Sequence, residues 1–452
     1  MSAVWMLVRP RRGSAALSWM QLAASAVTAL LAFAVAMLAA AFWRVPSAEE
    51  GYRVLAIGLV GVLVVPLVTL GTATARLAAR SRDDRLATLR LLGASARRVR
   101  RTAVAEIALL AIVGVAAGTL LASGLPFALS LLGVLGAPLT VYGEPLDPAQ
   151  LWLPWWASAA IPPLLVAVAA ASALLGLRRV VLSPLGVRTR QDAPRMSRLR
   201  LVAAVAVLAA AVLVTQLVSP DWGLTVVFGA LTVAVIGVSA VLGVAGPFAV
   251  TLFARSRAAR TSNAAALVAA RGILDDPRAA WRQVSAVALA SFVLIPAGSL
   301  LGYLDAIQRS KSRAIMTRDQ LLLFGDARTM LIALVAVSFL VVACQVAITQ
   351  TAAVLERHEL YVALDRIGMP RAELDRARRL RVTGAANVAV VGASTAAAVL
   401  GAALLFIAVV VAPLFVAAVV VLLLLGLLLI RAGVAATSPV MRRVLDAPGR
   451  GE

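Results

Sequence analysis

Ten apolar stretches, each about 18 residues or more, dominate this chain. They lie near Ala15–Trp43, Tyr52–Ala75, Thr102–Leu135, Trp152–Leu177, Leu201–Val218, Leu224–Phe253, Val284–Leu304, Met330–Val354, Thr383–Val410 and Leu414–Ile430. Only Ala412-Pro413 separates the last two. In hydrocarbon every backbone N–H and C=O must be satisfied inside the protein, so such runs form helices or a closed barrel. The alternating pattern of barrel strands is absent. At 62% hydrophobic and 14% charged residues, the chain exceeds what a soluble domain could bury. The expected fold class is an all-α polytopic membrane protein with about ten transmembrane helices.

The net charge of +22 raises the question of nucleic acid, and its distribution answers it. Of 43 basic residues, 36 fall in the N-terminus, the loops around residues 76–101, 178–200, 255–282 and 357–381, and the C-terminal tail. The opposite loops hold seven: Arg44, Arg53, Arg309, Lys311, Arg313, Arg318 and Arg328. This follows the positive-inside rule and predicts both termini in the cytoplasm, with the arginines beside anionic membrane lipids. No nucleic-acid partner is expected. Cys344 is the only cysteine and lies in a predicted span, which excludes a disulfide framework and a thiol metal site. His358, the only histidine, reads as a solvated or docking residue in a charged loop, so no catalytic residues are expected.

Three landmarks occur twice in the same order. A Pro-Arg precedes the first and seventh spans (Pro10-Arg11, Pro277-Arg278). A charged helical motif precedes the third and ninth. A Ser-Pro follows the last span of each set (Ser183-Pro184-Leu185, Ser438-Pro439-Val440). The chain thus reads as a parallel repeat: a four-span unit over residues 1–190, two linking spans over 191–265, and a second four-span unit over 266–452.

The repeated motif carries the functional argument. Leu86, Leu89 and Leu92 recur at helical spacing with Arg85 and Arg90 beside them, and Gly93 stands where a helix ends in the left-handed conformation. Ser95 is placed to cap the helix that leads into span three. With Gly93 set on Gly368, the second copy has the stripe Leu360, Leu364 and Ile367, and Pro370 suits the first turn of the next helix. Each copy is a stubby, rigid elbow with an apolar face and charged edges. On physical grounds it can lie flat on the membrane or fill a groove on a partner.

The run Arg85-Leu-Ala-Thr-Leu-Arg-Leu-Leu-Gly-Ala-Ser95, followed by arginines, Glu106 and Gly114/Gly118, resembles the FtsX-like permeases of ABC transporters, also described as MacB-like or type VII. Ser183-Pro184-Leu185 resembles the same family's exit from its fourth span. The second copy departs at Met369-Pro370, in place of Ala-Ser, and at Arg381, in place of Glu106. The resemblance implies two four-helix FtsX-like repeats joined by two linking helices, in a bacterial cell membrane. It also implies that both elbows are coupling helices seated on ABC ATPase subunits; two elbows match two copies of the ATPase, or a pair of related ones.

The chain has no Gly-x-x-x-x-Gly-Lys-Ser/Thr motif, so ATP and magnesium are expected on that partner and no cofactor on this chain. The spans carry few ionisable groups, which argues against an ion-coupled carrier. The expected function is export or extraction of an amphiphile: a lipid, lipopeptide or antimicrobial peptide. The alternative is a non-transporting mechanotransmitter or sensor acting on a cell-wall hydrolase or a histidine kinase, with an extracytoplasmic or kinase partner. Gly114 and Gly118 are expected to permit close helix packing. Trp152, Trp155 and Trp156 read as an interfacial belt.

Overall fold

The computed structural model describes residues 15–45, 51–61, 95–134, 140–182, 198–217, 224–309, 317–331 and 365–436, with residues 335, 338, 342, 343 and 363 between them. Nearly all of these are helical. The helices in chain order are α1 Ala15–Trp43, α2 Gly51–Gly61, α3 Ala96–Ala122, α4 Leu125–Val134, the short α5 Pro148–Leu151, and α6 Trp155–Leu182. There follow α7 Arg198–Leu217, α8 Leu224–Arg260, α9 Ala264–Asp275, α10 Pro277–Arg309, α11 over residues 318–331, α12 Arg371–Leu400, α13 Ala402–Val411 and α14 Pro413–Ala436. Among the described residues, six helices are long and apolar enough to cross a bilayer: Gln21–Trp43, Arg101–Ala122, Trp155–Leu174, Pro277–Tyr303, Arg371–Leu400 and Pro413–Ala435. Helices α7 and α8 fall on the two predicted linking spans. The second span is described only over α2, and the eighth lies largely outside the described residues.

Two expected spans are broken. The apolar run Thr102–Leu135 is interrupted at Ser123-Gly124, where the Ser123 and Gly124 N–H groups donate to Thr119 and Leu121 carbonyls at 3.1 Å. The run Thr383–Val410 breaks at Gly401, whose N–H donates to the Ala397 carbonyl at 2.9 Å. Each break begins a second helix of ten residues. Hydropathy continues across both turns, so only backbone hydrogen bonding reveals them. The expected break at Ala412 is present, between α13 and α14. Between the seventh and eighth predicted spans, residues 305–309 and 318–329 are helical. Helix α10 runs on to Arg309, and α11 begins at residue 318.

The chain divides into two compact units. One comprises Met1–Ala40, Leu67–Pro138 and Leu146–Arg190; the other comprises Ala41–Pro66, Leu139–Pro145 and Gln191–Glu452. In the first unit α3 packs on α6. Gly114 and Gly118 bring α3 close to α1: a Cβ at Gly114 would lie 2.7 Å from the Leu22 carbonyl, and one at Gly118 would run into the Ala26 carbonyl. Gln21 Nε2 donates to the Ile107 carbonyl at 3.3 Å across the same contact. The packing role expected for this Gly-x-x-x-Gly is therefore realised in the geometry.

In the second unit α10 is the central helix, packed against α8, α12, α13 and α14. Of its apolar window 72% is buried, against 12% for α14, whose outward face suits lipid. A second Gly-x-x-x-Gly, Gly298 and Gly302, lets α10 approach α14: a Cβ at Gly298 would strike Val419, and one at Gly302 would lie 3.1 Å from the Ala412 and Phe415 Cβ atoms. Helix α10 starts at Pro277, ahead of the seventh predicted span. The Asp276 carboxylate accepts from the Ala279 N–H at 2.9 Å, and Pro277 takes the first helical position, where a missing N–H costs nothing.

Candidate functional site

The first elbow, with Arg85, Leu86, Leu89, Leu92 and Gly93, lies outside the described residues. Its exit is described. Ser95 is the N-cap of α3, with extended backbone (φ −65°, ψ 143°), and its hydroxyl accepts from the Arg98 N–H at 3.4 Å. This supplies one of the donors that a helix start leaves unsatisfied.

Of the second elbow, Leu360 and Leu364 lie outside the described residues, while Ile367, Gly368 and Pro370 are placed. Gly368 has φ +92°, the left-handed conformation expected from its position. Its N–H donates to the Asp365 carbonyl at 3.0 Å, and the Ile367 N–H to the Ala363 carbonyl at 3.1 Å, which closes the preceding turn. Ile367 is 82% exposed, so the one described member of the apolar stripe is open to a neighbour. Pro370 differs slightly from expectation. It is the residue just before α12 rather than within its first turn, and its carbonyl accepts from the Glu373 and Leu374 N–H groups.

A charge pair links elbow and span. Arg371, the first residue of α12, lies 3.4 Å from the Asp365 carboxylate on the elbow. One turn on, Asp375 accepts from Arg378 at 3.0 Å and pairs with Arg379 at 2.7 Å. The Arg378 side chain is buried and also donates to the Val434 carbonyl at 2.8 Å. Val434 sits in the last turn of α14, where carbonyls have no helical partner and the helix end is partially negative. Arg378 thus caps α14 from the base of α12. Sequence reasoning passed over it. The available signal was an arginine on the apolar face of a helix, at the same face as Leu374 and Ala377, which are both buried. Arg381, singled out as a departure from the first copy, is also buried, with its guanidinium side chain against Gly272 of α9.

Elsewhere in the second unit lies a polar knot that sequence reasoning missed. Two short antiparallel strands, β1 Thr140–Val141 and β2 Glu144–Pro145, form a hairpin closed by Tyr142 (φ 56°) and Gly143 (φ 79°). Positive φ at both central residues matches the right-handed twist of a two-residue hairpin. The Asp326 side chain of α11 receives the Tyr52 hydroxyl at 2.7 Å, the Thr140 hydroxyl at 3.2 Å, and the Tyr142 N–H. The Tyr142 hydroxyl donates to Asp319 at 3.1 Å. Tyr52 stacks on Phe42 (6.4 Å, 22°) and meets Tyr142 edge-on (6.2 Å, 61°).

Glycines close the remaining gaps, since Gly51 abuts Leu323 and Gly143 abuts Leu322. Burial pushes the Asp326 carboxyl above its ordinary range, against hydrogen bonds from Tyr52, Tyr142, Thr140 and Gly143 that favour the anion. The Asp319 carboxylate raises the Tyr142 hydroxyl, first through their hydrogen bond and then through its charge. The signal for Asp326 was a single acid inside the apolar stretch Leu321-Leu-Leu-Phe-Gly-Asp-Ala327.

Long apolar helices, close glycine contacts and a left-handed glycine ending a charged elbow define an all-α polytopic membrane protein. Residues 55–182 match the family model of the FtsX-like permease C-terminal domain, and this stretch is an FtsX-like permease domain. It takes in the second to fourth predicted spans and the first elbow. A comparison with curated proteins finds no match. The family is one of membrane permeases of the ABC-transporter type, which generally partner with a separate ABC ATPase.

Proposed function

We propose that this chain is the membrane-spanning permease subunit of an ABC transporter and couples ATP hydrolysis on a separate ATPase to export or extraction of an amphiphilic substrate. The observation that carries this reading is the family match over residues 55–182, which encloses the first elbow. The second elbow supports it with an exposed Ile367, a left-handed Gly368 and a charge-braced join to α12. Both elbows receive motion from ATPase subunits, one on each, and the spans carry it outward. The chain lies in the plasma membrane with both termini cytoplasmic, as the arginine distribution predicts. The repeat assigned to residues 1–190 and 266–452 gains support from the helix starts. Ala96 and Arg371 stand at the same distance from Gly93 and Gly368, and each helix later breaks before a ten-residue segment.

Leu89→Asp and Leu364→Asp test the docking. An unpaired carboxylate pressed into an apolar groove costs a few kcal/mol, so each variant should retain roughly a tenth or less of the co-purifying ATPase per affected elbow. Full retention in both would remove the docking assignment. Transport is tested by adding ATP to vesicles that contain the complex and a fluorescent lipid or amphipathic peptide; ATP-dependent movement of the probe is expected.

The alternative, a mechanotransmitter or sensor, draws on the built structure at the outer end: a hairpin and helix α11 knotted at Asp326. ATP-dependent contact of this region with another protein, with no movement of any amphiphile, would favour it over transport.

A further inference from the structure

Asp326 is 1% exposed, and its carboxyl is met by donors from two distant stretches of chain. These are the hydroxyls of Tyr52 and Thr140 and the backbone N–H groups of Tyr142 and Gly143. Among the described residues the ion pairs fall elsewhere, so Asp326 has no cation in direct contact there. Among the described residues, the charged and titratable groups on the elements that form the knot are Tyr52 and Arg53 of α2, Tyr142 and Glu144 of the hairpin, and Arg318, Asp319 and Arg328 of α11 itself. Arg53 is turned over the Trp43 ring at 5.9 Å, and Asp319 is engaged with the Tyr142 hydroxyl. Glu144, Arg318 and Arg328 are exposed.

An ionised carboxylate only accepts, whereas a neutral acid donates one hydrogen bond. Two partners of Asp326 are hydroxyls, which can turn from donating to accepting. The closed knot therefore takes up a proton without losing a contact. Four donors fill the anion's acceptor sites in exchange for its hydration, but none of the ion pairs among the described residues includes it.

We propose that Asp326 is a proton-operated latch: protonated, it holds α2, the hairpin and α11 together, and ionised, it lets them part and hydrate. The upward displacement of the Asp326 carboxyl by burial agrees in sign. A carboxyl held above its exposed value when closed binds its proton more tightly in the closed arrangement. Closure is then favoured as pH falls. It weakens as pH rises from the ordinary carboxylate range through the raised closed-state value.

The test uses the full chain in lipid nanodiscs, where both membrane faces meet the reagent, with Cys344→Ser and a reporter at Ala327→Cys. Ala327 is buried beside Asp326 and reacts with a maleimide only when the knot opens. Asp326→Asn holds the neutral state and serves as the reference at each pH, which cancels the reporter's own titration. The rate for the chain with Asp326 should approach this reference as pH falls to the ordinary carboxylate range, near pH 4, and exceed it severalfold or more near pH 8. Asp326→Ala, which leaves the donors unsatisfied, should react fast throughout. A ratio constant with pH, or an Asp326→Ala rate as slow as that of Asp326→Asn, overturns the latch. Tyr52→Phe guards against misfolding of the Asp326 variants. It leaves the carboxyl in place, removes one donor to the anion, and should speed labelling near pH 8 about tenfold or more; an unchanged rate overturns the proposal.

Discussion

Arg378 and Gly368 act at the scale of single residues, one through its charge and the other through its lack of a side chain. The Arg378 guanidinium bridges Asp375 and the last turn of α14. Replacing it with methionine keeps most of the apolar stem and removes the cap. The expected result is a loss of about 1–3 kcal/mol and faster hydrogen exchange at residues 432–436, with α10 unaffected. At Gly368, φ +92° disfavours any side chain although a Cβ would meet nothing nearby. Gly368→Ala should therefore cost about 1 kcal/mol through the backbone alone, read as a lower midpoint of thermal unfolding in detergent.

At the scale of elements, the close helix contacts are the most exacting feature. Gly118→Leu would drive a side chain into the α1 backbone, which cannot retreat as a flexible side chain could. We expect loss of the folded protein on size-exclusion chromatography. Gly392→Leu on α12, where a Cβ meets nothing, should be tolerated. Ten helices could be expected from the sequence because hydrocarbon leaves an apolar run few options. The breaks at Ser123-Gly124 and Gly401 could not be read the same way, since their flanking residues are as apolar as the spans. Ser95 and Gly368 were legible because capping and left-handed turns are local chemistry. Asp326 was not, because its partners Tyr52 and Tyr142 are 274 and 184 residues away, and a lone acid near a span end reads as solvated.

For the whole molecule, the sequences of the two elbows differ in charge. With Gly93 set on Gly368, the acids Asp365, Glu373 and Asp375 stand at the positions of Arg90, Arg98 and Arg100. Arg381 stands at that of Glu106, so the inversion runs both ways. In the second copy the acids pair with Arg371, Arg376, Arg378 and Arg379, which leaves less net charge for a partner. Exposed charge is screened by salt, and internally paired charge much less so. ATPase held through the first elbow alone, in Leu364→Asp, should dissociate steeply as salt rises from about 50 mM to about 500 mM. ATPase held through the second, in Leu89→Asp, should respond weakly. Equal salt sensitivity would show that the charge inversion does not reach the docking faces.

The knot at Asp326 draws its donors from residues 52 and 140–143 and its acceptor from residue 326, yet all of them belong to one compact unit. A hybrid protein assembled from two such permeases by joining them near residue 190 would therefore inherit mismatched partners. Its halves would insert, but the tyrosines of one parent would face whatever the other carries at the aspartate. Exchanging Tyr52, the hairpin and α11 as a set is the way to make interchangeable parts of this molecule.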